Sequence, residues 1–288
     1  MGVEKRMKKV VAVTGGSGFI GEKIIKELLQ GGYKVISLQR TKKNIGNAEI
    51  RHFDLSDPDT ITKKMLTDID VVIHAAAIAH NPKADKNSHR TLNFEATKHF
   101  FKACEEAEVN KFVFISTVNV YGLSSSKKAI NIRTKTCPVS PYGIAKLDSE
   151  KFLLNSDSST AISIIRLPLV YGKNAPGNYG VLEKVAKTRL PLPFLNTRNK
   201  RSIVSVELVA KIIKDIVASK KKYLGLHLLA ERKPYSTKEM IEKIRLQNGF
   251  SPMLFPVPLL LMKVVLISIG KRQIYEQLYE NLEFVSTI

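Results

Sequence analysis

Carboxylates are scarce in this sequence: 26 Asp and Glu stand against 46 Lys and Arg, for a formal net charge of +20 at pH 7. Cysteine is scarcer still. Cys104 and Cys137 are the two present, and nothing around them has metal-ligand spacing. Two thiols cannot make a disulfide framework, so ordinary reduced cysteines in a cytoplasmic protein are expected. No secretory leader is expected either, because the N-terminus is charged and the apolar run Val10–Val13 is too short for an h-region. An uncharged span of ~20 apolar residues is also missing. The most apolar stretch, Leu254–Gly270, is opened by two prolines and interrupted by Lys263. It reads as a buried or amphipathic helix, with at most a peripheral membrane contact. The basic residues form no long block and no aromatic-interleaved stripe. A nucleic-acid partner is therefore not expected, and a phosphate-bearing substrate or a solvated Lys-rich surface accounts for the charge.

What is present is an ordinary globular composition, 44% hydrophobic and 25% charged over 288 residues. That suits one large domain or two closely joined ones. Short apolar runs alternate with helical spacing over the first two thirds. Strands are expected at Lys9–Thr14, Lys34–Leu38, Glu49–Phe53, Val71–His74, Lys111–Ser116 and Ala161–Leu167, with helices at Glu22–Gln30, Thr91–Ala107 and Tyr142–Leu154. Strands apolar on both faces and separated by helices make a doubly wound, Rossmann-type parallel sheet, α/β in class, whose ligands bind beyond the carboxyl ends of the strands. After Gly172 the texture becomes rich in Pro, Gly, Asn and Arg at Lys173–Gly180 and Leu190–Arg201, which read as loops. We expect a dinucleotide-binding domain over 1–172 and a smaller substrate-binding region over 173–288. Part of the latter, about 203–230, should return to the first domain through a helix at Val206–Lys220 and a strand at Gly225–Ala230.

Residues 14–21 read TGGSGFIG. They satisfy both Gly16-x-Gly18-x-x-Gly21 and Gly15-x-x-Gly18-x-x-Gly21, after a strand and at the start of a helix, which is the context dinucleotide binding requires. Glycines let backbone approach a pyrophosphate, and the helix N-terminus offers free N–H groups and partial positive charge. An NAD site places Asp or Glu at the end of the second strand to hold the ribose 2′-hydroxyl. Here that strand ends Leu38-Gln39-Arg40, followed by Thr41, Lys42 and Lys43. Arg40 suits a 2′-phosphate, so NADP is favoured, with NAD the alternative. Asp54 is placed to accept from an adenine amino group or to cap a turn.

Tyr142 and Lys146, four apart, fall on one face of a helix. A nearby ammonium favours the phenolate and so makes a tyrosine a better proton acceptor and donor for an alcohol or carbonyl. Thr117, at the end of its strand, is placed to hydrogen-bond the same oxygen.

Together with Asp54-Leu55, HAAA (74–77), Asn93, STVNVYG (116–122), Arg166-Leu167-Pro168 and Val170-Tyr171-Gly172, these motifs resemble the extended short-chain dehydrogenase/reductases, in their nucleotide-sugar epimerase/dehydratase branch. The resemblance covers 8–172 in order. It implies a catalytic triad of Thr117, Tyr142 and Lys146. It further implies cofactor contacts from Gly15, Gly18, Phe19, Ile20, Gly21, Leu55, Ala75, Ala76, Ala77, Asn93 and Pro168, beside Arg40, Asp54, Tyr142 and Lys146. A helix-paired homodimer is also expected from the family.

Where sugar 4,6-dehydratases of this branch carry Thr-Asp-Glu, this chain has Thr117-Val118-Asn119. Dehydration is therefore disfavoured, and redox at C4 of a UDP-sugar remains. The segments Leu190–Phe194, Thr197–Ser202 and Phe255–Pro258 are similar to a subgroup acting on UDP-linked 4-keto-6-deoxy-N-acetylhexosamines in bacterial surface polysaccharide synthesis. That similarity favours a 4-ketoreductase over a 4-epimerase, and implies that Arg201 and Asn178 bind the substrate's diphosphate. Chains of that subgroup run on past the region matching Asn281–Ile288 into a short final helix. A non-catalytic NADP-binding regulator on the same fold is the weaker reading, because Thr117, Tyr142 and Lys146 are all kept.

Overall fold

The computed structural model describes residues 9–79, 85–219 and 221–288. Its strands are β1 (Val10–Thr14), β2 (Lys34–Gln39), β3 (Glu49–His52), β4 (Val71–His74), β5 (Lys111–Thr117), β6 (Ala161–Leu167), β7 (Leu169–Tyr171), β8 (Ile203–Ser205) and β9 (Gly225–Leu228). Its helices are α1 (Phe19–Gln30), α2 (Lys86–His89), α3 (Ala96–Glu106), α4 (Pro141–Leu154), α5 (Gly177–Ala186), α6 (Val206–Ala218), α7 (Thr237–Gln247), α8 (Leu259–Ser268) and α9 (Arg272–Tyr279). The chain divides into two compact units. The first comprises Met1–Val120, Cys137–Arg166 and Val206–His227, and the second Tyr121–Thr136, Leu167–Ser205 and Leu228–Ile288.

The seven-stranded sheet has the order β3-β2-β1-β4-β5-β6-β9. β1 runs parallel to β2 and β4, β2 to β3, and β4 to β5. The order reverses beside β1, so the crevice at the carboxyl ends of β1 and β4 is the topological switch point. Strands β1, β4 and β5 are buried almost throughout, as their unbroken β-branched and aromatic runs require when both faces are covered. One side of the core is aromatic: the Phe101 and Phe112 rings meet edge-on at 5.1 Å, and those of Phe53 and Phe100 tilt at 5.0 Å. Lys111, at the buried start of β5, donates to the carbonyls of Ile216 and Ser219 and so ties the end of α6 to the sheet.

Three elements differ from the sequence reading. α1 begins at Phe19 rather than Glu22, because Gly18 in extended conformation serves as its N-cap. The helix expected over Thr91–Ala107 starts at Lys86 and passes through a π-helical turn, Arg90–Glu95, before α3. The expectation of a buried or amphipathic helix within Leu254–Gly270 is corrected. α8 has no buried residue, and its apolar side chains are exposed around most of its circumference.

The turn between β1 and α1 depends on two glycines. Gly15 has φ of +67°, and a Cβ there would lie 2.9 Å from the Ala76 backbone. A Cβ on Gly21 would lie 2.2 Å from the Gly15 carbonyl oxygen. Gly21→Ala is expected to cost about 1–3 kcal/mol, the range for overpacking; a urea unfolding midpoint equal to that of the parent would refute this contact.

Candidate active site

Beyond β1, the first turn of α1 has no side-chain cap. Its leading N–H groups therefore lack the partner that Ser, Thr, Asp or Asn would give them, which leaves them for an anion. The loop after β4 is held against this turn by a chain of hydrogen bonds. Ala76 N–H donates to Thr14 Oγ1 at 3.1 Å, and Thr14 Oγ1 meets His74 Nδ1 at 2.8 Å. His74 Nε2 meets Thr97 Oγ1 at 3.0 Å, and that hydroxyl donates to Asn93 O at 2.8 Å. Because Thr97 spends its proton on Asn93, the network assigns the ring hydrogen to Nε2 and leaves Nδ1 to accept from Thr14. Burial, with a smaller contribution from the charge of Lys146, holds the His74 imidazole well below its usual pKa, which keeps this neutral tautomer.

Asn93 lies in the π-turn and is 1% exposed. Its amide accepts from Ile78 N–H at 2.8 Å and donates to Ile78 O at 3.0 Å, so it fixes the loop that carries Ala75, Ala76 and Ala77. The rim of the crevice is basic. At the end of β2, Gln39 is buried, accepts from Ser37 Oγ and donates to Lys43 O. Arg40 beside it is exposed. Asp54 accepts from both the N–H and the hydroxyl of Ser56. These bonds, with a smaller contribution from Arg40, hold its carboxyl below the usual range.

α4 brings Tyr142 and Lys146 to the same crevice. Ser140 caps it by accepting from Gly143 N–H, and Pro141 occupies its first turn. Gly143 lets the helix start against the loop after β5, since a Cβ there would lie 2.8 Å from Asn119 O. Thr117, two residues earlier, is 9% exposed and accepts from Asn119 N–H. The Tyr142 ring stands edge-on to His89, with centroids 6.1 Å apart, and its hydroxyl makes no hydrogen bond among the described residues. Lys146 is 2% exposed. Its Nζ donates to Ile115 O at 2.8 Å and lies 4.2 Å from the centre of the Phe114 ring.

The electrostatics differ from the simple expectation of an acidified phenol. Burial pushes Tyr142 up to about 12. Burial also pulls Lys146 down to about 7, against an opposing contribution from Glu150. Enclosure by apolar groups disfavours both charged forms, and the ammonium is aimed at a carbonyl rather than at the phenol.

Beneath the pair, Glu150 continues the spacing of four along α4. It is 1% exposed, accepts from Ser116 Oγ, and takes both a 3.0 Å bond from Arg166 Nε and a 2.6 Å bond from Nη2. The sequence reading passed over Glu150. Its signal was the extension of Tyr142-x-x-x-Lys146 by another four residues, with Ser116 and Arg166 already inside recognised motifs.

In the second unit, Asn178 is exposed in the first turn of α5. Arg201 is half-buried, and burial lowers its guanidinium to about 10. Its Nη1 donates to the carbonyls of Ser124, Glu276 and Glu280. Pro168 is buried between β6 and β7.

A sequence profile described as the NAD dependent epimerase/dehydratase family matches residues 11–223. A Vibrio cholerae protein named UDP-glucose 4-epimerase is 29% identical over 293 residues, covering 97% of this chain and 88% of that one. A Campylobacter jejuni UDP-N-acetylglucosamine 4,6-dehydratase (inverting) is 28% identical over 224 residues, covering 72% of this chain and 62% of its own. The crystal structure of the Bordetella bronchiseptica enzyme WbmG in complex with NAD and UDP has the same fold. Its TM-score is 0.74 at 18% identity, with 99% of this chain and 87% of that chain covered.

Lys146 allows a test that needs no substrate. Its pKa is about 7 in the folded chain and about 10.4 in an unfolded one. Between those values the unfolded chain binds the extra proton, so stability rises with pH across that window. Lys146→Met removes this contribution. Its urea midpoint should climb less than the parent's from pH 7 to pH 10, and equal climbs would show the ammonium to be solvated.

Proposed function

Because the chain belongs to the NAD dependent epimerase/dehydratase family, we propose that it performs NAD(P)-dependent redox chemistry at C4 of a UDP-linked sugar. The observation that carries this reading is the Tyr142 hydroxyl, which makes no hydrogen bond among the described residues, one turn before a buried Lys146 that reaches Ile115 and Phe114 of β5. The residues present fit a dinucleotide. Gly15 and Gly21 are packed too closely for a Cβ at either position, α1 has no side-chain cap, and the Ala75–Ala77 loop is pinned to both β1 and Asn93. A bound nicotinamide would supply or accept the hydride at C4.

The chain's own groups then manage the oxygen. Tyr142 donates its proton to a 4-keto oxygen, or takes one from the 4-hydroxyl, and Thr117 hydrogen-bonds the same atom. Lys146, when protonated, offsets the burial that holds Tyr142 near 12. Ser116, Glu150 and Arg166 hold the helix that carries the pair. Arg201, one nitrogen already held by three carbonyls, and Asn178 take the diphosphate of the nucleotide. Dehydration is disfavoured because Val118 and Asn119 occupy the positions of the acid pair.

Two variants of this chemistry each have a specific support. A 4-ketoreductase acting on a UDP-4-keto-6-deoxy-N-acetylhexosamine, in surface polysaccharide synthesis in the cytoplasm, is supported by Gln39 and Arg40, where an NAD-binding carboxylate would stand. This variant uses NADPH. A 4-epimerase is supported by the Vibrio cholerae relative, which covers 97% of this chain, and retains NAD.

The dinucleotide released from purified protein decides between them. NADPH consumed by a 4-ketosugar is the expected result; tightly held NAD recycled without net consumption makes the protein an epimerase. In either case Tyr142→Phe should lower kcat by ~10²–10⁴-fold, the usual contribution of a positioned acid–base group, while bound dinucleotide is kept. Full turnover by that variant would remove Tyr142 from the chemistry.

A further inference from the structure

Helix α8 inverts the usual rule for a surface helix. Such a helix turns an apolar stripe to the core and charged residues to water. In α8 only Met262 and Leu266, four apart, are half-buried, while Leu260, Leu261, Val264 and Val265 stand in solvent at 73%, 53%, 57% and 44% exposure. Ile267 and Ile269 at the end of the helix extend the patch at 41% and 61%. An exposed apolar surface of this extent marks an interaction site.

We propose that α8 seats the protein on an anionic lipid surface. The charge around it selects this occupant. From Lys243 to Tyr275 the sequence contains no Asp or Glu, while Lys263 stands in mid-helix and Lys271 and Arg272 follow it. Arg272 is paired with Glu276, but Lys263 and Lys271 are in no ion pair among the described residues. The second unit as a whole has no Asp, and its Lys and Arg outnumber its Glu by more than two to one. Anionic headgroups attract such a surface, and long lysine side chains reach up to them while the leucines and valines enter the acyl boundary.

The length fits this arrangement. Ten residues make a helix of about 15 Å, half of a ~30 Å hydrocarbon core. α8 can therefore lie in one leaflet and cannot span, and no helix among the described residues is long and apolar enough to cross a membrane. A second copy of the chain is the poorer occupant. Antiparallel pairing of two α8 helices would bring both Lys263 ammoniums together at the middle of the contact, and α8 itself has no carboxylate to offset them.

Co-sedimentation of the full chain with vesicles tests this, using phosphatidylcholine alone and phosphatidylcholine mixed with phosphatidylglycerol. The protein should pellet with the anionic vesicles and release in high salt. Leu260→Ser with Val264→Ser should weaken binding by at least about tenfold, since each substitution removes roughly the insertion energy of a buried aliphatic group. Both positions are exposed, so the thermal midpoint should stay near the parent's. Lys263→Gln with Lys271→Gln, an independent variant, should reduce the preference for anionic over neutral vesicles. No pelleting by the parent protein, or pelleting unchanged in the serine variant, would overturn the proposal. So would light scattering that showed the serine variant converting a dimer to monomers without change in vesicle binding.

Discussion

A carboxylate and a guanidinium enclosed together fix the geometry on which everything else rests. Glu150 on α4 is joined to Arg166 on β6 and to Ser116 on β5. With its partners present the pair satisfies itself; with one partner removed, a bare charge would be left in the interior at a cost of roughly 3–5 kcal/mol. Such an arrangement tolerates little sliding of the helix over the sheet. Lys146 lies one turn before Glu150 and Tyr142 one turn before that, so their positions over the strand ends follow from a lock placed deeper in the molecule.

The same economy governs the crevice at the ends of β1 and β4. Thr14, His74, Thr97 and Asn93 pass hydrogen bonds from the end of β1 across β4 to the start of α3. Each of these groups is buried and each is satisfied, which makes the network stiff. What it holds is backbone: the turn containing Gly15 and the loop containing Ala76, which meet with no side chain between them. The uncapped first turn of α1 beside it leaves N–H groups of the kind that suit phosphate oxygens.

The strands were legible because their chemistry is one-sided: Val10–Thr14, Val71–His74 and Ala161–Leu167 are apolar runs whose ends coincide with turn residues. The helix that carries Tyr142 and Lys146 was legible through their spacing of four. Two things were not. Glu150 reads as one more charged residue on a helix until Arg166, distant in sequence, is seen against it. The environment of α8 was missed because apolar composition ordinarily means burial, and composition does not say which side of a boundary a segment faces. The electrostatics of the Tyr142–Lys146 pair were read too simply for a related reason. Spacing gives proximity, but the degree of enclosure, which raises one group and lowers the other, is a property of the folded chain.

The π-turn at Arg90–Glu95 constrains how this stretch can vary in length. An α-helix advances about 100° per residue, and the π-turn accommodates one extra residue within the rotation. Deleting a single residue there would close an ordinary helix but turn everything before it by roughly that angle relative to α3. Asn93 and His89 would then face away from the Ile78 backbone and the Tyr142 ring. The irregular turn thus acts as an angular register for the site, setting His89 and Asn93 relative to α3.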